Sequence, residues 1–285
     1  MYPDSDEMAS IDFLTWLSNS GVDTRMLRWP STFESADDRG VGAAASLRSG
    51  DEILRIPESI MLVPSRCLAD ATMALLRDRL RCPHTSGVAS LDLDDADDLT
   101  LALFILLEVA RGLAGSPGQW WAYVRVLPSV SAFECLLSYW DESEVAQCAD
   151  PELLRTHAET RARAEQEWLA VERATLTLRI ATSQGGGCGE GQRGLELLSR
   201  VLTQQSLRWA LACVHSRAFV NGLGVDALFV CPGTSDLLPL AMVPMVCATG
   251  SGSACASLCG PFLLSLCGRC ACATTAPTRP ARGSG

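Results

Sequence analysis

Apolar and polar positions alternate with several different periods along this chain, and those periods predict its elements. Phe13, Leu14, Trp16 and Leu17 form a stripe that predicts a first helix over 10–21, with Ser10 as N-cap and Gly21 as its stop. The pattern then changes. Residues 40–47 (Gly-Val-Gly-Ala-Ala-Ala-Ser-Leu) are small and extended, and Ser49 to Glu52 reads as a turn. Ile53 to Pro57 and Ile60 to Val63 read as short strands, giving a compact β unit over 40–63. Cys67 to Leu80 is periodic and helical. Leu91 to Asp98 is an acidic loop leading into an apolar helix over 99–113, which only Thr100 and Glu108 interrupt before Ala110. Gln119 to Leu127 is helical or extended and stops at Pro128.

Glu152 to Ile180 reads as a long charged helix, with Glu159/Arg163 and Glu167/Val171 at helical spacing and a narrow apolar seam at Trp168 and Leu169. The Gly-rich stretch over 183–194 reads as a loop or insert. Leu195 to Phe219 returns to helix, with Leu197, Leu198, Val201, Leu202, Leu207, Ala210 and Leu211 as its apolar face. Ala227 to Cys231 and Leu237 to Val246 read as strands. The fold class is therefore α+β: an early β unit is parted from later β segments by roughly 150 residues of mostly helix.

Composition adds limits. The chain has 285 residues with 48% apolar content, enough for a sizeable core. Its net charge of −10 is a poor match to a nucleic-acid binder. All 23 basic residues are Arg. The acidic start, Met1 to Glu7, has the character of neither a signal peptide nor a transit peptide, and the 99–110 run is too short to span a bilayer. The expectation is an intracellular protein, cytoplasmic and/or nuclear, with reduced cysteines, no membrane and no direct nucleic-acid partner. Residues 247–285 differ in kind: they hold no acid, three Arg and six of the thirteen Cys. That tail is expected to be irregular.

Local chemistry is sparse. The Gly run over 185–191 follows a helix and has no Lys-Ser/Thr after it, so it fails as a phosphate loop. Cys255, Cys259, Cys267, Cys270 and Cys272 have spacings that could ligate zinc. Without acids or His nearby, and with a Thr278-Arg279-Pro280-Ala281-Arg282 ending, the stretch reads instead as out-of-register translation of GC-rich sequence; no metal site is assigned. His84, His157 and His215 form no triad order, and His215 reads as a packed side chain. Asp92, Asp94, Asp95, Asp97 and Asp98 lack the Gly and distal Glu of a calcium loop and read as solvated. Taken alone, Arg39 is a turn residue and Arg217 a helix C-terminal charge.

Four segments, in order, change that reading. They are Phe13-Leu14-x-Trp16-Leu17 with Gly21; Asp37-Asp38-Arg39-Gly40-Val41-Gly42-Ala43 with Ser49 to Pro57; Leu101 through Glu108 to Trp120-x-x-Tyr123-x-x-x-Leu127-Pro128, with Tyr139-Trp140; and Trp209-Ala210 to His215-Ser216-Arg217-Ala218-Phe219, followed by Met242-Val243-Pro244-Met245. Over about residues 11–246 the chain resembles the SET-domain methyltransferases of the Rubisco large-subunit methyltransferase type. The resemblance implies a split SET β-fold with a long, mostly helical insertion. The parts would be 11–65 (N-terminal SET), 66–219 (insertion), 220–246 (incomplete SET strands) and 247–285 (tail). It also implies S-adenosylmethionine as methyl donor and the lysine of an unidentified protein as acceptor. Asp37, Asp38 and Arg39 would line the cofactor's amino-acid end, and Arg217 would lie against it, where a guanidinium suits a carboxylate.

The departures carry as much as the matches. The family follows Val-Pro-Met with Asp and an Asn-His pair that contacts the cofactor; here Val246-Cys247-Ala248-Thr249-Gly250-Ser251 follows. The family's channel Tyr also has no counterpart, because the last Tyr is Tyr139. Arg39 stands where the family usually has a Gly or apolar residue. The sequence thus reads as a truncated or mis-spliced product, expected to bind S-adenosylmethionine weakly and to transfer no methyl group. The alternative is a non-catalytic interaction protein using its helical insertion.

Overall fold

A single apolar helix organises the chain. The computed structural model describes residues 7–32, 39–48, 54–81, 91–93, 96–134, 136–148, 150–183, 189–220 and 226–228. Every residue from Leu99 to Ala110 is buried, as a helix apolar on all sides must be. The elements in order are α1 (Glu7–Asn19), β1 (Leu27–Thr32), β2 (Arg39–Ala43), α2 (Pro64–Leu68), α3 (Ala71–Arg81), α4 (Asp97–Leu113), α5 (Trp121–Val124), α6 (Glu142–Gln147), α7 (Pro151–Ser183), α8 (Glu190–Val201), α9 (Gln204–Arg217), β3 (Ala218–Val220) and β4 (Asp226–Leu228). Helices α9, α8, α2 and α5 surround α4, and α8 also packs on α3 and α7.

The described residues are mostly helical, with two small antiparallel sheets, β1–β2 and β3–β4. Strand β1 pairs Leu27 with Ala43, Arg28 with Gly42, Ser31 with Gly40 and Thr32 with Arg39, with a bulge between Arg28 and Ser31. No strand was expected at 27–32. Two expected strands are absent. Residues 54–57 form none, and Glu58–Ile60 is a 3-10 turn followed by a lone bridge at Leu62. The carbonyls there bind side chains instead of a ladder: Gln119 Nε2 donates to Ser59 O (3.4 Å), Trp120 Nε1 to Ile60 O (2.9 Å) and Arg66 Nη1 to Met61 O (2.5 Å).

Helix α1 begins at Glu7, so Ser10 lies inside it, buried, and is no cap. An acidic residue in the first turn favours the earlier start. Its end is as expected. Gly21 has φ +82°, Gly21 N–H reaches Ser18 O and Val22 N–H reaches Leu17 O, a Schellman stop. Phe13 packs edge-on to Trp29 (5.5 Å between ring centroids) and tilted to Tyr123 (5.9 Å).

The expected helix over 67–80 is two helices, because Asp70 Oδ1 accepts the Thr72 and Met73 N–H groups and starts α3 afresh. The expected 195–219 helix is also two. Thr203 N–H donates to Ser206 Oγ (2.8 Å) and Ser206 N–H to Thr203 Oγ1 (3.0 Å), which caps α9 anew. Helix α8 begins at Glu190, inside the stretch expected to be loop. On α7 the pairs are Arg155 with Glu152 and Glu159, and Arg163 with Glu167, not Glu159 with Arg163. The 237–246 strand and the 247–285 tail lie outside the described residues.

Two glycines allow α8 to meet α3. A Cβ on Gly191 would come within 2.7 Å of Ala71 O, and one on Gly194 within 1.9 Å of Thr72 Oγ1. Exposed helical glycines usually gain about 1 kcal/mol on becoming Ala. Gly194→Ala should instead lose about 2 kcal/mol in urea melts through overpacking. The loss should shrink in a Thr72→Ala background, since Thr72 Oγ1 is buried without a hydrogen-bond partner.

Candidate functional site

Helix α9 carries its buried stripe through Ser206, Trp209, Ala210, Cys213 and Val214 to Arg217. The four-residue spacing that buries Trp209 and Cys213 also carries Arg217 inward. Arg217 is therefore 3% exposed despite its charge. It closes α9, and β3 follows at once.

A segment over 128–139 is strapped along α9. Trp209 Nε1 donates to Pro128 O (2.8 Å), and Arg208 donates to Ser138 O. The Arg208 guanidinium lies 4.1 Å from the Tyr139 ring centroid. Tyr139 stacks on Phe133 (6.3 Å, 29°), and the Arg217 guanidinium sits 5.8 Å from the Phe133 centroid. Arg217 Nη1 also donates to Ser216 Oγ (2.6 Å), and Ser216 Oγ donates back to Ala212 O (2.7 Å). The described partners of Arg217 are thus a hydroxyl and a ring face. Among the described residues no carboxylate pairs with it. Buried cations are normally paired, so a set of donors without an acid suits an anionic group of a ligand.

Nearby groups limit the chemistry. Burial pushes the Cys213 thiol up to about 12, so it stays protonated and is no nucleophile. Among the described residues Cys67, Cys148 and Cys213 are free, and no cluster of His, Cys, Asp or Glu could hold a metal ion. No described helix is long and apolar enough to cross a membrane.

The sequence-derived residues sit on separate elements. Arg39 opens β2 opposite Thr32, Arg217 closes α9, and Asp37 and Asp38 lie outside the described residues. Gly42, in β2, is buried. His215, expected from sequence to be a packed side chain, is not packed. Its side chain is 57% exposed, and its Nε2 lies 3.1 Å from Asp98 Oδ2. The acidic stretch is partly paired rather than simply solvated: Asp98 holds His215, and Asp92 accepts from Arg81 Nε (2.9 Å).

The His215 hydrogen bond holds Asp98 below its ordinary value. Its stabilising contribution is present above the unfolded value, about 3.9, and is lost as pH falls through the lower folded value. Asp98→Asn should flatten the stability profile below about pH 4, by less than about 1 kcal/mol because both groups are partly exposed. Urea melts that keep the parent's acid slope would contradict this.

Sequence reasoning missed Phe133. It lies in a 3-10 turn (Val130–Phe133) with no periodicity to announce it.

The sequence matches no protein-family model and no curated protein. Solved structures do share its fold. Rubisco LSMT bound to sinefungin and monomethyllysine matches 80% of this chain at a TM-score of 0.54 and 19% identity. The SET domain of LSMT bound to lysine and AdoHcy matches 81% at 0.54 and 19%. The same domain bound to MeLysine and AdoHcy matches 80% at 0.54 and 20%. This chain covers 44% of each of those chains. The similarity gives the chain a SET-like fold.

Proposed function

We propose that this chain is a SET-like S-adenosylmethionine-binding protein, built on the plan of protein-lysine N-methyltransferases and impaired in methyl transfer. The observation that carries the binding half is Arg217: a guanidinium buried at the end of α9, held by Ser216 and Phe133, with no carboxylate partner among the described residues. A buried guanidinium binds a carboxylate more strongly than an exposed one, because the low local dielectric strengthens the pair. The cofactor's amino-acid end supplies that carboxylate. Asp37, Asp38 and Arg39 are proposed for the same end. When bound, the cofactor supplies a methyl group on a sulfonium to a deprotonated lysine amine.

The impaired half rests on sequence. Transfer needs the amine, the methyl carbon and the sulfur in line at near-attack distance. Residues 246–251 read Val-Cys-Ala-Thr-Gly-Ser where the family has its Asn-His pair. The proposed acceptor is a protein lysine. The proposed setting is cytoplasmic and/or nuclear, without nucleic acid or membrane.

The test is methyl transfer from labelled S-adenosylmethionine to a lysine-rich protein mixture by the purified full chain. Label on the mixture at background supports the impaired reading, and robust transfer overturns it. A second reading, a non-catalytic interaction protein using its helical insertion, is favoured by Leu154 and Leu176, exposed on the 33-residue α7. Failure of the chain to bind the cofactor at all would select that reading.

A further inference from the structure

We infer that Phe133 is a positioning residue, whose ring face orients Arg217 and balances its charge while leaving its donors free for a ligand carboxylate. This inference rests on the reading of Arg217 proposed above.

Burying Arg217 has a cost. A guanidinium 3% exposed has lost most of its hydration, and an uncompensated buried charge is expensive. An acidic neighbour would compensate it, but would occupy the fork of N–H donors that a ligand needs. An aromatic face compensates without accepting those hydrogen bonds in the guanidinium plane. The Arg217 guanidinium carbon lies 5.8 Å from the Phe133 centroid, within cation–π range. Ser216 Oγ takes one donor, at Nη1. Of the five N–H donors of an arginine side chain, the others have no carboxylate among the described residues.

The ring is held firmly. Phe133 is 4% exposed and stacks on Tyr139. The strap is pinned to α9 on both sides of it, at Pro128 O by Trp209 and at Ser138 O by Arg208. Arg208 covers Tyr139 on the same aromatic pair. The strap therefore fixes where the ring is, and the ring with Ser216 fixes where Arg217 points.

The test uses two ligands and the full chain. S-adenosylhomocysteine carries the amino-acid end, and 5′-methylthioadenosine keeps the thioether and adenosine but lacks it. Phe133→Leu keeps apolar volume and removes the ring face. It should weaken S-adenosylhomocysteine about tenfold and leave 5′-methylthioadenosine unchanged. A trifluorinated phenylalanine at 133, close to the natural ring in shape but with a depleted face, should give a smaller loss of the same selectivity. It decides the matter where the Leu variant fails to fold. Equal losses for both ligands, or no loss for either, overturn the inference. If Arg217→Met leaves S-adenosylhomocysteine binding at the parent level, the reading of Arg217 fails, and the inference with it. If Arg217→Met abolishes selective binding while both ring variants keep it, only the inference fails.

Discussion

Arg217→Met should weaken binding of S-adenosylhomocysteine about a hundredfold, while the folded chain loses no stability. The first half follows from the strength of charge-assisted hydrogen bonds, roughly 1.5–3 kcal/mol in a desolvated site. The second half separates a ligand anchor from a structural charge. An arginine that held the fold together through a carboxylate would leave that carboxylate orphaned on removal, at a cost of about 3–5 kcal/mol. The described partners of Arg217 are Ser216 and Phe133, and neither is left charged and unpaired by its loss. Met fills the space of the side-chain stem without a charge to desolvate. Calorimetric titration and urea melts of the same preparation check both halves. Arg217→Lys should recover only part of the affinity, because a point charge cannot reproduce a planar fork. A variant that binds like the parent, or one that unfolds, contradicts the assignment.

Glu108→Ala should cost about 3 kcal/mol of stability. Glu108 is 1% exposed in the middle of α4. Its carboxylate accepts the Trp120 backbone N–H (3.1 Å) and Arg111 Nη1 (3.2 Å). Arg111 Nη2 in turn donates to Asp70 (2.7 Å), the residue that starts α3. One network therefore ties α3, α4 and the loop before α5. The loop lies directly on it: a Cβ on Gly118 would fall 2.2 Å from Glu108 Oε1. Truncation to Ala leaves a buried Trp120 N–H without its acceptor and removes one of the two acids on Arg111. Glu108→Gln keeps an acceptor and should cost about 1 kcal/mol. Burial raises the Glu108 carboxyl above its ordinary value, so its ionisation opposes folding. As pH rises from the unfolded value of about 4.3 through the raised folded value, the parent should lose ground to Glu108→Gln. Two variants within about 0.5 kcal/mol of the parent would show that the network is not structural.

The same residues show how far the sequence could be read. The 99–113 helix was legible because its run is apolar on every side. Glu108 stood out as an interruption, but its link through Arg111 to Asp70 joins positions 41 apart and left no periodic trace. At 60–63, read as a strand, Ile60 and Leu62 are both in the core. The strand itself does not form, because the Ile60 and Met61 carbonyls take side-chain partners from Trp120 and Arg66, which no local pattern announces. The cap at Thr203 and Ser206 was legible in principle and would have divided the 195–219 helix. Arg217 could be singled out from the Ser216-Arg217-Ala218-Phe219 segment through the family resemblance, and the stripe of α9 accounts for its burial. Phe133 could not, because it meets Arg217 only through the strap over 128–139. The SET-like fold expected from four short segments agrees with the solved structures at about half the length of their chains.

The most direct measurement is calorimetric titration of the full chain with S-adenosylhomocysteine. The expected result is saturable one-site binding that is lost in Arg217→Met. No binding up to a concentration on the order of millimolar, by a chain shown to be folded, would contradict it.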